Sequence, residues 1–415
     1  MTQFASGLLA FCFFYPLIMS YVWMGGAWFF YLRFERNDPP VNQPPLLKEY
    51  PKVAFMVPCY NEGDNVRGVV ANLMDTTYPD FEIIAINDGS KDNTGVILDE
   101  LLTQCPLLRV VHQAENHGKA MALNAAALMT DAEIFICIDG DALLHPDAAR
   151  WMVRHFVENP RVGAVTGNPR VRTRSTILGR IQVGEFSSII GLIKRAQRTY
   201  GRVFSVSGVV AAFRRRALHD VGYWANDMLT EDIDITWRLQ LRHWDVRFEP
   251  AALCWILMPE TIKGLWGQRL RWSMGGAQAL LKYRGLWLNW KSRRMALIYL
   301  EYLTSLCWGY VMTLNLFVWI LGLFIEMPKG LPLASLQPGV CGLVLALTGF
   351  LQVGLGMYFD RKYEVVHFRN IFVLVWYPIA YWMIGWLTAV WGFPKALFRQ
   401  EGVLATWVSP DRGVR

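Results

Sequence analysis

Long apolar segments at both ends of the chain constrain its fold more than any other feature of the sequence. The first, from about Phe4 to Leu32, is long enough to span a bilayer roughly 30 Å thick as a helix. Three more follow Arg294, at roughly Ala296–Ile325, Val340–Met357 and Ile371–Phe393. The region between the two ends mixes polar and apolar residues in ordinary proportions. The sequence therefore predicts a water-exposed domain flanked by membrane segments.

The basic residues next to these segments predict the orientation of the chain. Arg33 and Arg36 directly follow the first segment, so the positive-inside rule places the following domain in the cytoplasm. The N-terminus would then lie outside, and four crossings in all would leave the C-terminal tail outside as well, whereas its basic residues, Lys395, Arg399, Arg412 and Arg415, favour the cytoplasm. Pro378 could make the last segment re-entrant or interfacial, so the side of the tail stays open.

Charge and cysteine content exclude several other classes of protein. The net charge of +7 comes from Lys and Arg that gather beside apolar segments, so nucleic acid is not predicted as a partner. A separate basic run, Arg170, Arg172 and Arg174, is expected in a solvated loop. The seven Cys form no C-x-x-C pair, which indicates neither a disulfide framework nor a zinc site. A reducing compartment fits this content.

Changes in composition along the chain divide it into six parts. A Pro-rich linker follows the first apolar segment, and a stretch rich in Trp, Lys and Arg precedes the later ones. The predicted parts are an N-terminal membrane anchor (1–36), the linker (37–50), an α/β domain (51–255), interfacial helices (256–294), three transmembrane or re-entrant segments (295–394) and a C-terminal tail (395–415).

The central domain alternates short β-branched runs with helical patterns, which predicts an α/β fold with a mostly parallel sheet. Helical patterns at Asp64–Met74 and Thr94–Gln104 separate the strands. The predicted strands are Val53–Val57, Phe81–Asn87, Arg109–His112, Ile134–Asp139 and Val162–Thr166. Ligands of such sheets bind at the carboxyl ends of the strands, where this chain carries clusters of polar residues.

Asp139 and Asp141 follow one of these strands and are the strongest single indication of chemistry. Side chains at i and i+2 of a strand point to the same side, and two carboxylates held close together are costly unless a cation joins them. Mg²⁺ is commonly shared between one or two carboxylates and the phosphates of a substrate. The pair therefore predicts a metal–diphosphate site, although an exposed turn would be the default interpretation of D-x-D alone.

Three further motifs each have a purely structural alternative. Asp88 ends another strand and could bind a base or ribose, or could simply stabilise a turn. Glu231 and Asp232 open a helical segment, where carboxylates serve as a general base or only as partners of the helix dipole. The segment from Gln268 to Trp272 could be an ordinary interfacial helix.

Taken in order, the four motifs resemble the D, D-x-D, E-D, Q-x-x-R-W signature of processive family-two glycosyltransferases. That family includes the synthases of cellulose, chitin and hyaluronan. Within it, further segments resemble the bacterial poly-β-1,6-N-acetyl-D-glucosamine synthases over nearly the whole chain. These segments are Gly163–Arg170, Ile181–Ser188, Leu192–Arg195, Val206–Gly208, Ala211–Arg214 and Trp407–Gly413. The resemblance implies a GT-A-like nucleotide-sugar-binding domain flanked by transmembrane helices.

The resemblance also assigns the donor site. The donor would be UDP-N-acetylglucosamine, with its uridine held by Tyr60, Glu62 and Asp88. Asp139 and Asp141 would face the diphosphate and its Mg²⁺ (or Mn²⁺), Asp141 being the expected direct ligand. Lys119 would help to neutralise the phosphates, although an isolated Lys at a helix start is more often only solvated.

On the acceptor side, the resemblance implies that Asp232 deprotonates the 6-hydroxyl of the growing polysaccharide, giving an inverted β-linkage. Glu231 would orient the substrate or this base. Arg271 would stabilise the leaving diphosphate, and Trp272, with Gln268, would bind the terminal sugar of the acceptor. No cofactor beyond the metal is called for.

The same resemblance implies a multi-pass protein of the bacterial inner (cytoplasmic) membrane that exports a biofilm polysaccharide across the lipid bilayer. It further implies a small membrane partner subunit and control by cyclic di-GMP, for which no residue can be assigned. Two other hypotheses stay open: another processive β-glycan synthase, chitin- or hyaluronan-like, and a non-processive membrane glycosyltransferase. A scaffold or export component without enzymatic activity would bind no nucleotide sugar.

Overall fold

The structure is a computed structural model that describes residues 2–326, 339–364, 377–400 and 402–406. The start of the predicted segment Ile371–Phe393 and the motif Trp407–Gly413 lie outside these residues. The strands are β1 (Val53–Cys59), β2 (Phe81–Asp88), β3 (Leu108–Gln113), β4 (Ile134–Ile138), β5 (Leu143–Leu144), β6 (Val162–Val171), β7 (Val210–Arg214) and β8 (Asp245–Ile256).

The helices alternate with the strands in the centre and dominate both ends of the chain. They are α1 (Thr2–Phe30), α2 (Val66–Met74), α3 (Thr94–Gln104), α4 (Lys119–Leu128), α5 (Ala148–Glu158), α6 (Ile177–Glu185), α7 (Leu192–Thr199), α8 (Arg215–Val221), α9 (Glu231–Leu241), α10 (Ile262–Lys282), α11 (Ala296–Leu321), α12 (Val340–Asp360) and α13 (Tyr377–Leu397). A π-helical turn, Tyr31–Glu35, extends α1, and another, Phe186–Gly191, joins α6 to α7.

The strands form one mixed sheet in the order β3-β2-β1-β4-β7-β6-β8-β5. The first four strands along the chain pair in parallel, as do β6 and β8, which confirms the predicted mostly parallel sheet. β7 and β5 join the sheet in antiparallel orientation. All five predicted strands are confirmed, whereas β7, β8 and the short β5 were not predicted.

Alternating residues of the central strands build a core on each face of the sheet. Phe55 and Ile136 pack on one side with α2, α3 and α5, and Met56 and Phe135 pack on the other with α4 and α8. Because both faces are covered, these strands read as continuous apolar runs in the sequence. Their carboxyl ends therefore remain as the polar edge at which a site can form.

Among the described residues, three helical spans are long and apolar enough to cross a membrane: Gln3–Glu35, Trp290–Leu321 and Val340–Asp360. α13 is not one of them. It packs against α10 and α11, at the boundary between the helices next to the central domain and the membrane spans.

A buried group of charges joins the ends of the membrane helices to the central domain. Arg195 of α7 donates two hydrogen bonds to Glu35, at 2.7 and 2.9 Å, and forms an ion pair with Asp360 at 3.0 Å. Arg170 donates to the other oxygen of Asp360 at 2.6 Å. All four side chains are almost fully buried, and their formal charges cancel. The expectation that Arg170 lies in a solvated loop was therefore wrong, because two carboxylates from membrane helices require partners at this interface.

The segment 402–406 lies on the central domain. The backbone N–H of Ala405 donates to the carbonyl of Asn226 at 2.9 Å. The carbonyl oxygen of Ala405 approaches Gly118 so closely that a Cβ there would lie 2.1 Å from it. Gly118 also has a φ of 88°, a conformation that other residues rarely adopt. This part of the tail thus contacts the central domain directly, beside the loop that leads into α4.

Candidate active site

The two carboxylates predicted to face a metal leave the carboxyl end of β4. Between them, Gly140 lies against Glu62, and a Cβ at Gly140 would come within 2.9 Å of the Glu62 side chain. Asp141 is nearly buried and lines a cavity of about 330 Å³ between α2 and the end of β6. Arg172 lines the same cavity.

Lys119 joins the aspartate pair to the motif that opens α9. Its Nζ donates to Asp139 and, at 2.8 Å, to the carbonyl oxygen of Gly208, and lies 3.7 Å from Glu231. Burial lowers the pKa of Lys119, but the charges of Asp139 and Glu231 outweigh this effect and leave the pKa raised. The side chain is therefore a permanent cation at neutral pH.

The peptide of Gly208 connects this cation to the predicted base. Its carbonyl accepts the hydrogen bond from Lys119, while its N–H donates to Asp232 Oδ2 at 3.1 Å. A Cβ at position 208 would sit 3.2 Å from the same carboxylate oxygen, which is tighter than an ordinary contact. One backbone unit thus fixes Asp232 relative to Lys119 and Asp139.

Glu231 faces Lys119 from the first turn of α9. Burial raises its pKa, and the charge of Lys119 opposes this rise, while that of Asp232 adds to it. Thr230 directly precedes α9, but among the described residues its hydroxyl has no hydrogen-bond partner and does not cap the helix.

The predicted uridine-binding residues lie at the ends of β1 and β2, which pair in register there. Tyr60 is partly exposed, whereas Glu62 is buried. Asp88 is fully buried, and its two oxygens accept the N–H groups of His117 and Gly118, both at 2.9 Å. Burial raises the pKa of Asp88, and these two bonds oppose the rise. Asp88 thus orders the loop that leads into Lys119.

Gln268, Arg271 and Trp272 lie on one face of α10, because residues at i, i+3 and i+4 of a helix are neighbours. The helix begins after Thr261, whose hydroxyl accepts the N–H of Gly264 at 3.1 Å. Arg271 is exposed and donates to the carbonyl of Leu229 at 3.4 Å, next to the α9 motif. Gln268 Oε1 is buried and has no hydrogen-bond partner within the described ranges, so it is available to a ligand.

A buried ion pair positions Trp272. Arg269 donates to Glu185 at 2.6 Å, and its guanidinium lies over the indole ring of Trp272, 4.3 Å from the centroid. Burial raises the pKa of Glu185, which the charge of Arg269 opposes. Arg269 therefore packs on one face of the Trp272 ring, although Arg269 occupies a position that the Q-x-x-R-W motif leaves unspecified.

The donor set at Asp139 and Asp141 fits a metal that is shared with a substrate. Two carboxylates at the end of one strand are what Mg²⁺ or Mn²⁺ uses when phosphate oxygens complete its coordination. No group of three or more His, Cys, Asp or Glu side chains in the described part of the chain could hold a metal ion by itself. The residues present therefore suit a metal that arrives with a diphosphate, not a permanent cage.

Three contacts around the site were not predicted from the sequence: the Gly208 peptide, the Glu185–Arg269 pair, and Lys194, which donates to Thr166. The segments Ile181–Ser188, Leu192–Arg195 and Val206–Gly208 had stood out by resemblance, but their roles depend on tertiary contacts. The available signal was Glu185 itself, the one charged residue between Ile181 and Ile193.

A comparison with protein families decides the class of the site. The model of a glycosyltransferase-like family 2 matches residues 51–275, more than half of the chain and all of the sheet. The chain belongs to the family 2 glycosyltransferases. This glycosyltransferase carries its D-x-D pair, its E-D pair and its Q-x-x-R-W helix within the matched residues.

The relatives of this glycosyltransferase include named synthases. It is 38% identical to the poly-β-1,6-N-acetyl-D-glucosamine synthase of Staphylococcus epidermidis over 410 residues, which cover 97% of this chain and 98% of the relative. The identity and both shares are the same for the synthase of Staphylococcus aureus strain MSSA476. The predicted resemblance to these synthases is confirmed.

A solved structure shares the fold of the glycosyltransferase. A mannosyltransferase from Pyrobaculum calidifontis, in complex with GDP-Man and Mn²⁺, superimposes with a TM-score of 0.60 at 18% identity. The match covers 96% of this chain and 99% of the mannosyltransferase. The predicted GT-A-like fold flanked by membrane helices is therefore confirmed.

Proposed function

We propose that this glycosyltransferase transfers N-acetylglucosamine from UDP-N-acetylglucosamine to the end of a growing poly-β-1,6-N-acetyl-D-glucosamine chain. The observation that carries the proposal is the continuous set of contacts from Asp139 through Lys119 and Gly208 to Asp232. It sets a diphosphate-binding pair and a candidate base on either side of one residue, Gly208. The identity to named synthases along 97% of the chain supports the choice of sugar and polymer.

The transfer is a single displacement at C1 of the donor sugar. The 6-hydroxyl oxygen of the acceptor bonds to C1 as the bond from C1 to the UDP oxygen breaks, which inverts that carbon. A sugar hydroxyl is a weak nucleophile, so its proton passes to Asp232, which the Gly208 N–H holds in place. Glu231, tied to Lys119, orients the acceptor beside this base.

The leaving diphosphate requires positive charge. Lys119, 3.7 Å from Glu231, and Arg271, bonded to the carbonyl of Leu229, supply it. Asp139 and Asp141 would hold Mg²⁺ or Mn²⁺, with Asp141 as the expected direct ligand, and such an ion would supply further positive charge for the leaving UDP. The donor set described above suits this role, and the fold relative from Pyrobaculum calidifontis was solved with GDP-Man and Mn²⁺.

The two substrates occupy opposite ends of the site. Tyr60, Glu62 and Asp88 bind uridine at the ends of β1 and β2, with Asp88 acting partly through the loop that it orders. Trp272 stacks on the terminal sugar of the acceptor, and the buried side-chain oxygen of Gln268 accepts a hydrogen bond from one of its hydroxyls.

The membrane helices give the polar product a path out of the cell. We propose that α1, α11 and α12 cross the bacterial inner membrane, with the central domain and the tail in the cytoplasm and α13 at the interface. An odd number of crossings agrees with the contact between the tail and Asn226. A small membrane subunit and cyclic di-GMP are proposed as partners in biofilm polysaccharide export.

The test is to incubate the purified full-length chain with labelled UDP-N-acetylglucosamine and Mg²⁺ and to analyse the product by NMR. Long chains with 1,6-linkages in the β configuration are expected. A β-1,4 polymer would assign a chitin-like activity, and a single added sugar under excess donor would assign a non-processive transferase. Absence of UDP binding in calorimetry with metal present would contradict any such enzyme.

A further inference from the structure

Lys194 is a half-buried cation that none of the roles above uses. It lies on α7, and its Nζ donates to the hydroxyl of Thr166 in β6 at 3.1 Å. Thr166 is fully buried, and the same hydroxyl accepts the backbone N–H of Ser207 at 2.8 Å. The ammonium is therefore held in place beside the backbone that leads into Gly208.

Lys194 and Asp232 both lie beside the backbone of Ser207 and Gly208. Ser207 is bonded to Thr166, the partner of Lys194, and Gly208 is bonded to Asp232. All of these except Thr166 remain partly accessible to solvent, although the surrounding strands are buried. They can therefore be reached by a substrate next to the proposed base.

The hydrogen-bond capacity of this pair leaves donors for a ligand. The Thr166 hydroxyl accepts two bonds and donates to the carbonyl of Gly167 at 3.4 Å, so its capacity is filled. An ammonium has three N–H donors, and the described residues engage one of them on Lys194, at Thr166. Two donors thus face the accessible space without a protein acceptor in the described part of the chain.

The charge state of Lys194 depends on pH near neutrality. Burial lowers its pKa to about 8, and the negative charge of Asp232 opposes the decrease. Asp232 is the charged group that faces it from α9, while Lys119 binds the far side of the Gly208 peptide. Arg195 and Arg198 on its own helix are directed to other carboxylates.

We propose that Lys194 is an acceptor-binding residue whose ammonium donates a hydrogen bond to an oxygen of the sugar that Asp232 deprotonates. The inference rests on the proposed function, since it takes Asp232 as the base. The oxygen belongs either to the 2-acetamido group or to a hydroxyl of the terminal sugar. In both cases the contact orients the acceptor and does not touch the donor.

The experiment measures KM separately for the two substrates of the full-length chain. A β-1,6-linked N-acetylglucosamine tetrasaccharide serves as the acceptor. For Lys194→Met, we expect KM for the tetrasaccharide to rise about 10-fold or more, as for loss of a hydrogen bond from a charged donor, with KM for UDP-N-acetylglucosamine unchanged. Lys48→Met, which removes an exposed Lys outside the site, is the control and should match the wild type.

The dependence on pH separates a bound ammonium from a structural role. In the wild type, KM for the tetrasaccharide should be low below pH 8 and rise above it, because the ammonium, whose pKa is about 8, loses its proton there. Lys194→Arg keeps its charge, so the rise should disappear, and Lys194→Met should show a high KM at every pH. An unchanged acceptor KM in the Lys194→Met variant, or an equal increase in KM for both substrates, would overturn the proposal.

A second acceptor identifies the oxygen, and a binding measurement separates the two proposals. A β-1,6-linked glucose tetrasaccharide lacks the acetamido group: if its binding is insensitive to Lys194→Met, the contact is to that group, and if it weakens equally, the contact is to a hydroxyl.

If the wild type binds UDP-N-acetylglucosamine but does not extend the tetrasaccharide, the proposed function fails. Calorimetric affinity of the tetrasaccharide, compared between wild type and Lys194→Met, then still tests Lys194.

Discussion

Lys119 forms an ion pair with Asp139 and, through the same ammonium, holds the peptide that positions Asp232. Lys119 therefore links Asp139, at the diphosphate end of the site, to Asp232, at the end where the acceptor is activated. Glu231 also lies 3.7 Å from the Lys119 ammonium, and the charge of Asp232 acts on the same cation. The site depends on that cation both for charge and for geometry.

Replacement of Lys119 by Met should lower the rate of sugar transfer by about 100-fold or more, since one positioned charge at a leaving group contributes that much. Initial rates with labelled donor provide the measurement. Lys119→Arg should retain part of the activity because it keeps the charge. Lys48→Met serves as the control for removal of a Lys, and a Lys119→Met enzyme with the control's rate would contradict this role.

Asp232→Asn should reduce transfer by at least about 100-fold while leaving the affinity for UDP-N-acetylglucosamine unchanged, because the base acts on the acceptor alone. Calorimetry with donor and metal measures the affinity. Glu231→Gln is the matched variant, one residue away in the same helical turn, and should retain more activity. The reverse ranking of the two variants would move the role of base to Glu231.

Arg269→Met should both destabilise the protein and raise KM for the acceptor, because it leaves Glu185 buried without a partner and frees the ring of Trp272. Breaking a buried pair in this way costs about 3–5 kcal/mol. The double variant Glu185→Leu and Arg269→Met should recover much of the lost stability but not the acceptor KM. Recovery of both would show that Arg269 does not position Trp272.

Glu35→Gln should lower the thermal stability of the full-length chain, since it leaves the buried charges of Arg195 and Arg170 balanced by Asp360 alone. The expected loss is again about 3–5 kcal/mol. Thermal unfolding in detergent measures it. Glu49→Gln removes an exposed carboxylate from the linker and should leave the midpoint unchanged. Equal midpoints for the two variants would be evidence against the buried cluster.

Removal of divalent metal with a chelator should abolish transfer, and Mg²⁺ or Mn²⁺ should restore it. Asp141→Asn should weaken this restoration, since a direct ligand is lost. The same variant should weaken UDP binding in the presence of metal but not in its absence. Full activity in the chelated enzyme would exclude the metal from the reaction.

The fold was largely predictable because its strands are buried on both faces. Continuous apolar runs such as Val53–Cys59 and Ile134–Ile138 stand out whatever the rest of the chain does. β7 and β8 were missed for physical reasons. β7 is short and follows a polar turn, and β8 contains a Pro and several charged residues, which ordinarily disfavour a central strand.

The sequence predicted only those contacts of the candidate site that lie within a single motif. Spacing alone placed Asp139 beside Asp141 and Gln268 beside Trp272, since each pair shares one strand end or one helix face. The contact of Lys119 with Gly208 joins residues far apart in sequence through a backbone carbonyl, for which no side-chain pattern exists. Likewise, the burial of Arg170 depends on Asp360 at the end of a membrane helix.

The neutral cluster of Glu35, Arg170, Arg195 and Asp360 also dictates an order of biogenesis. Glu35 leaves the ribosome first and the two arginines follow, but the carboxylate that completes the neutral set is made only with the last turn of α12. Until then the arginines outnumber their partners, and closing the interface would bury an uncompensated charge. We therefore expect the central domain to dock onto its membrane helices only after α12 has been made.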